Sequence, residues 1–156
     1  MNTCLPHHLS RSAKIALSWL AVAVMAAAIF WMSANSGESI NSGLGIVSAI
    51  KGMLSAGAQW IFGHEVDVSP VGHFTEYLVF GALLFNALRF HLNPRTALLA
   101  ALAIGSLYSI TDEWHQLFVP SRSCDPADWA VDTVATLVGS TLTRFGFRKT
   151  KTPNDK

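Results

Sequence analysis

IALSWLAVAVMAAAIFWM, residues 15–32, is a run of eighteen residues without a charge, preceded by Arg11 and Lys14. An α-helix rises about 1.5 Å per residue, and about 20 apolar residues cross the hydrocarbon core of a bilayer, so this stretch predicts a membrane-spanning helix. It is longer than the apolar core of about 7–15 residues in a secretory signal, although the small residues Ser33 and Ala34 keep a cleaved signal as an alternative. Working outward, the same logic predicts further spans over about 71–90, 94–119 and 126–142. Composition agrees: 51% of the 156 residues are hydrophobic and 13% charged, against roughly 25% charged in soluble domains. The predicted fold class is an all-α polytopic membrane bundle of about four transmembrane helices with one interfacial or re-entrant helix. Residues 1–14 form an N-terminal segment, 15–143 the transmembrane domain and 144–156 a basic tail, expected to be disordered over its last dozen residues.

Charge sorts by side. Lys/Arg concentrates on the cytoplasmic face of membrane proteins, which places Arg11, Lys14, Arg89, Arg95, Arg144, Arg148, Lys149, Lys151 and Lys156 inside. Both termini are then cytoplasmic, in a multi-pass membrane protein. Nine acids fall outside against Lys51 and Arg122, a net of −7, while the inner side nets +8 with Asp155. The overall charge of +1 hides this segregation. A basic tail next to a span is what topology demands, so nucleic acid is not an expected partner; membrane lipids are. Cys4 and Cys124 fall on opposite sides and cannot pair with each other.

After the first span comes the turn-rich SANSGESINSG, then residues 44–63, which Gly45, Lys51, Gly52 and Gly57 interrupt too often for a span. Leu44, Val47, Ile50, Met53 and Leu54 recur at helical spacing, and Trp60 and Phe62 suit a headgroup region, so this segment reads as the interfacial helix. Ser69-Pro70, Asn93-Pro94 and Asp125-Pro126 each pair an N-cap residue with Pro at the first helical position. Glu76 and Asp132 each lie seven residues past such a cap, roughly 10 Å into two different helices from the outer side.

The densest signal is in the third span. At about 100° per residue, Tyr108, Ser109, Asp112, Glu113, His115 and Gln116 share one arc, and Leu107, Ile110, Trp114, Leu117 and Phe118 the opposite one. Ionisable residues within a membrane must face a bundle interior or an aqueous cavity, so the polar arc predicts a pocket. His73, Glu76 and Tyr77 on the second span, and Asp125, Asp128 and Asp132 on the fourth, are its natural partners. Asp125 and Asp128 also suit the first turn of a helix, where free amides and the dipole favour acids. Asp112 and Glu113 sit near a helix C-terminus, where the dipole opposes them, so Arg122, a histidine, a metal ion or a proton must compensate.

Several chemistries stay open on these residues. Glu113, His73 and Asp132 are the candidate catalytic groups, with Arg122, Gln116, Tyr77, Glu76, Asp128 and Asp112 as substrate-binding candidates. His73, His115, Glu76, Glu113, Asp112 and Asp132 offer ligands for a divalent metal, without the spacing of an established signature such as HExxH. Nucleophilic-serine and phosphate-loop motifs are absent. Cys124 reads as a neutral loop cysteine.

HFTEYLVFGALL (73–84) and LYSITDEWHQLFVPSRSCDPADWAVDTVATLVGS (107–140) resemble the VanZ-like family of small multispanning bacterial membrane proteins. The shared pattern is carried by His73, Tyr77, Glu113, Gln116, Phe118, Arg122, Asp128, Asp132 and Gly139. Two positions depart from it. Many relatives carry a basic residue shortly before the histidine, where this chain has Ser69, Pro70, Val71 and Gly72, and Thr136 stands where glycine is common. The resemblance implies a cell-envelope role, and the founding members are associated with resistance to the glycopeptide teicoplanin. The partner it suggests is a lipid-linked envelope precursor or glycopeptide-related ligand, bound or modified in the outward-facing pocket. A non-enzymatic scaffold held together by the same polar residues, and a proton- or ion-coupled transporter, are the alternatives.

Overall fold

A computed structural model describes residues 9–34, 69–120 and 122–149, together with residues 53, 56, 59, 60, 63 and 64. Four long helices and no strand occur among the described residues: α1 (Arg11–Ser33), α2 (Ser69–Leu88), α3 (Pro94–Gln116) and α4 (Pro126–Lys149). α1, with a mean hydropathy of 2.2, and Pro70–Leu88 of α2, at 1.3, are long and apolar enough to cross a membrane. α3 and α4 have the length, at 23 and 24 residues, but their polar faces lower their hydropathy. Most of the interfacial helix expected over 44–63 lies outside the described residues, as do Glu38, Glu65, Asp67, Lys51 and Cys4.

The starts of α3 and α4 follow from their caps. The Asn93 side chain accepts from the amides of Arg95 at 3.2 Å and Thr96 at 3.0 Å. Asp125 Oδ1 accepts from Ala127 N at 2.8 Å, so both Pro94 and Pro126 take the first helical position, where a missing N–H costs nothing. Ser69 is itself helical, so it is not the N-cap expected there. Three ends differ from expectation. α2 stops at Leu88 rather than near 90, because residues 89–92 turn into the Asn93 cap. α3 stops at Gln116, where 117–120 turn towards α4. α4 runs on to Lys149, so the first five of the twelve residues expected to be disordered are helical; the Arg89 guanidinium lies 3.6 Å from the Phe147 ring and ties this end down. Residues beyond 149 lie outside the described ones.

α1 and α3 run opposite to α2 and α4. At one end Arg11 reaches the Phe90 carbonyl and Trp19 donates to His91, while at the other Arg122 reaches the Met32 carbonyl and His73 faces Asp128. Arg11, Lys14, Arg89, Arg95 and Arg144 gather at the first end, and Glu76, Asp112, Glu113, Asp125, Asp128 and Asp132 at the second. α1 is the outermost helix, buried at Ser18, Val22, Ile29 and Ser33 only, and held by Tyr108 Oη donating to the Ala26 carbonyl at 2.7 Å.

The most extensive contact is between α2 and α4. Small residues make it close, as in membrane bundles, where packing rather than hydrophobic transfer joins helices. A Cβ at Gly139 would collide with the Leu78 carbonyl oxygen, and one at Gly81 would lie 2.7 Å from Thr136 Cα. Ser140 Oγ donates to the Gly81 carbonyl at 2.9 Å across the same seam. Thr136 is fully buried, and its side chain fills the space that Gly105 of α3 leaves, where a Cβ would meet Thr136 Oγ1 at 2.8 Å. The Thr136 side chain is thus accommodated by Gly105, while Gly81 accommodates its backbone.

Gly139→Ala should therefore overpack a backbone contact and cost about 1–3 kcal/mol, read as a lowered melting temperature in detergent. Gly146→Ala, with nothing within 4 Å, should leave the melting temperature unchanged or slightly raised, because alanine is the better helix former.

Candidate functional site

α3 is polar towards the protein and apolar towards its surroundings. Ser109, Asp112, Glu113 and Gln116 are no more than 4% exposed, whereas Leu107, Ile110, Trp114, Leu117 and Phe118 are 49% to 73% exposed. The two arcs expected from the sequence are the two faces of this helix. Such an inversion of the soluble pattern suits a helix with lipid on one side and a polar interior on the other.

The interior is built by four elements. From α4, Asp132 is fully buried and accepts a 2.6 Å hydrogen bond from Ser109 Oγ of α3. Its other oxygen, Oδ1, lies 3.4 Å from Nδ1 of His73 on α2. The second nitrogen of the same ring, Nε2, faces Asp128 Oδ2 at 3.9 Å, one helical turn before Asp132 on α4. His73 therefore lies between two carboxylates, one deeply buried and one nearer the surface. Its side chain is 11% exposed.

Glu113 is held from the loop. Its Oε2 accepts from the backbone amide of Asp125 at 2.8 Å, while the Asp125 side chain caps α4. The cap expected of Asp125 thus has a second consequence: it fixes the backbone that orients Glu113. This amide, with His73 nearby, provides compensation for a carboxylate at the unfavourable end of α3. Glu113 Oε1 is left buried without a hydrogen-bond partner among the described residues. Ligand atoms of His73, Glu113 and Asp128 all lie within 4.8 Å of one another.

The remaining candidates line the same interior. Asp112 lies beside Ser33 of α1 and Gln116. Tyr77 is fully buried beside Ser109. Glu76, half-buried, is in electrostatic range of His73, Asp112, Asp132 and Arg122. Arg122 Nη2 donates to the Met32 carbonyl at 3.4 Å, which places it at the α1 edge of the cluster. All nine candidate residues are therefore at one end of the bundle. His115 is not in the group: its ring stacks on Phe30 of α1 with centroids 4.5 Å apart, and its nitrogens, like the carboxylates of Glu76, Asp112 and Asp132, are not among the ligand atoms that lie within reach of one another. Asp128 takes its place as a ligand candidate. Ser33 was not legible as a site residue, because nothing in the sequence says that the end of α1 meets α3.

Glu113 Oε1 is buried without a hydrogen-bond partner among the described residues, while Asp112 is in hydrogen-bonding range of Ser33 and Gln116, and Tyr77 of Ser109. Polar groups withdrawn from water need partners, supplied by water, an ion or a ligand. On the other side of Glu113 lies a groove of about 360 Å³ lined by Ile110, Trp114, Leu117, Cys124, Pro126 and Trp129. Its surface is apolar, and Glu113 and Asp125 also line it.

Comparison with known proteins adds one match: a family model described as VanZ/LLP1 covers residues 18–147. No curated protein and no solved structure matches the chain. The matched region includes all of α2 and α3, most of α1 and α4, and every residue of the polar cluster. With two helices apolar enough to cross a membrane, this supports a membrane protein. The chain belongs to the VanZ/LLP1 family.

Proposed function

We propose that the chain is a four-span protein of the bacterial cytoplasmic membrane, with both ends cytoplasmic, whose outward-facing polar pocket binds or modifies a lipid-linked component of the cell envelope. The observation that carries this reading is the position of Glu113. It borders the apolar groove on the outer surface of α3, while its carboxylate, 3% exposed with the rest of the residue, is withdrawn into the polar cluster behind. An amphiphile whose hydrocarbon chain lies along Ile110, Trp114, Leu117 and Trp129 would present its headgroup to Glu113, His73 and Asp128. Lipid-linked envelope precursors have this construction, with a polar group on a long apolar chain.

In the pocket, Arg122 clamps a phosphate or carboxylate by charge-assisted hydrogen bonds. Glu113 and His73 handle protons, and Asp132, fixed by Ser109, orients the imidazole. Asp128, Asp112, Glu76, Tyr77 and Gln116 provide the surrounding polar wall. By altering a precursor or its accessibility, such a protein would reduce the effect of a glycopeptide such as teicoplanin. The structural alternative has its own support, since the Ser109–Asp132–His73 chain joins three helices. In that reading the polar residues hold a scaffold together and have no ligand.

The two readings separate in a teicoplanin-sensitive Gram-positive host expressing wild type, Glu113→Gln or Asp132→Asn, with membrane abundance measured in the same cells. Binding or modification predicts that protection falls to the empty-vector level while Glu113→Gln remains as abundant as wild type. A scaffold predicts that abundance falls with protection. No protection by the wild type would remove the resistance role. Orientation is checked independently in a Cys4→Ser background: a membrane-impermeant maleimide added to intact cells should label Cys124, which is exposed at the acidic end. Labelling only after permeabilisation would reverse the orientation.

A further inference from the structure

We propose that His73, Glu113 and Asp128 bind one divalent transition-metal ion of the Zn²⁺ or Mn²⁺ type, with Asp132, Ser109 and the Asp125 amide as its outer shell. Three features of the geometry meet here. The ligand atoms of the three side chains lie within 4.8 Å of one another. Donors bound at about 2.0–2.2 Å from an ion are roughly 3–4 Å apart, so small side-chain rotations close the site. Glu113 is 3% exposed, and its Oε1 has no hydrogen-bond partner among the described residues. It is therefore a buried carboxylate oxygen left over after Oε2 has been taken by the Asp125 amide.

The third feature is the way His73 is held. A metal-bound imidazole usually directs its other nitrogen to a carboxylate, which fixes the ring and raises its basicity. His73 has that disposition. Nε2 faces Asp128, and Nδ1 faces Asp132 Oδ1 at 3.4 Å, while Asp132 Oδ2 is tied to Ser109. Asp132 is fully buried and on the far side of the ring from Asp128, so it supports the ring without joining the ligand set. One imidazole and two carboxylates suit a borderline ion better than Mg²⁺, which prefers oxygen alone. Three protein ligands also leave coordination positions open, as in sites that polarise a phosphate or generate hydroxide from water.

This site is within the proposed envelope-binding pocket, but it does not rest on that reading, because metal binding is measured without any organic ligand. The test uses the full chain purified in detergent through a tag without histidine, stripped of metal and titrated with Zn²⁺ and separately with Mn²⁺. The expected result is one equivalent bound, lost in Glu113→Gln and Asp128→Asn and weakened about 10–100-fold in Asp132→Asn. His115→Ala, which lies outside the cluster, should bind as wild type does. Zinc-edge X-ray absorption on the wild type gives a measurement independent of any variant's folding: a shell of N/O donors with a single imidazole is expected. The proposal is overturned if the wild type binds no stoichiometric ion, if two or more imidazoles or a sulfur coordinate it, or if Glu113→Gln and Asp128→Asn, monodisperse and melting as wild type does, still bind it.

Discussion

Gly139 lets the backbone of α4 press against the Leu78 carbonyl of α2, and the meeting of His73 on α2 with Asp128 and Asp132 on α4 depends on that close approach. A side chain at Gly81 or Gly139 would hold the helices apart by roughly the radius of a methyl group or more. Two turns towards the acidic end, the same parallel pair brings His73 within 3.4 Å of Asp132 and 3.9 Å of Asp128. Interactions between a histidine and carboxylates weaken quickly with distance and with access of water. Packing of small residues, which carries no chemistry, therefore sets the geometry of the residues that do.

α3 is the second constraint. Its apolar face looks outward and its polar face inward, so its stability depends on neighbours that satisfy the buried groups. α4 supplies Asp132 for Ser109, and the loop before α4 supplies an amide for Glu113. α1 contributes Ser33 beside Asp112 and a carbonyl for Tyr108. Glu113 Oε1, close to His73 and Asp128, is not satisfied in this way among the described residues.

The polar cluster borders an apolar groove, with Glu113 common to both. Cavities that bind small molecules combine much apolar lining with a few fixed polar groups. Here the two parts are side by side rather than mixed, and the apolar part is on the outward face of α3. Asp125 has two functions, since its side chain starts α4 while its amide holds Glu113.

The sequence by itself determined which stretches are helical, because apolar length and the Asn93-Pro94 and Asp125-Pro126 caps are local features. It also determined the two faces of α3, because a period of 3.6 residues sorts Asp112 and Glu113 from Trp114 and Leu117 without reference to anything else. The nine candidate residues that gather at the acidic end were picked out partly through this pattern and partly through the family motif. What only the tertiary structure decided was which of them meet. His115 shares the polar arc of α3 yet stacks on Phe30, because α1 covers that edge. Asp128, which local reasoning assigns to a helix start, faces His73 because the glycine seam sets α4 beside α2. Helix spacing specifies the face on which a side chain lies. The neighbour that face meets depends on contacts between segments far apart in the chain, which no local pattern contains.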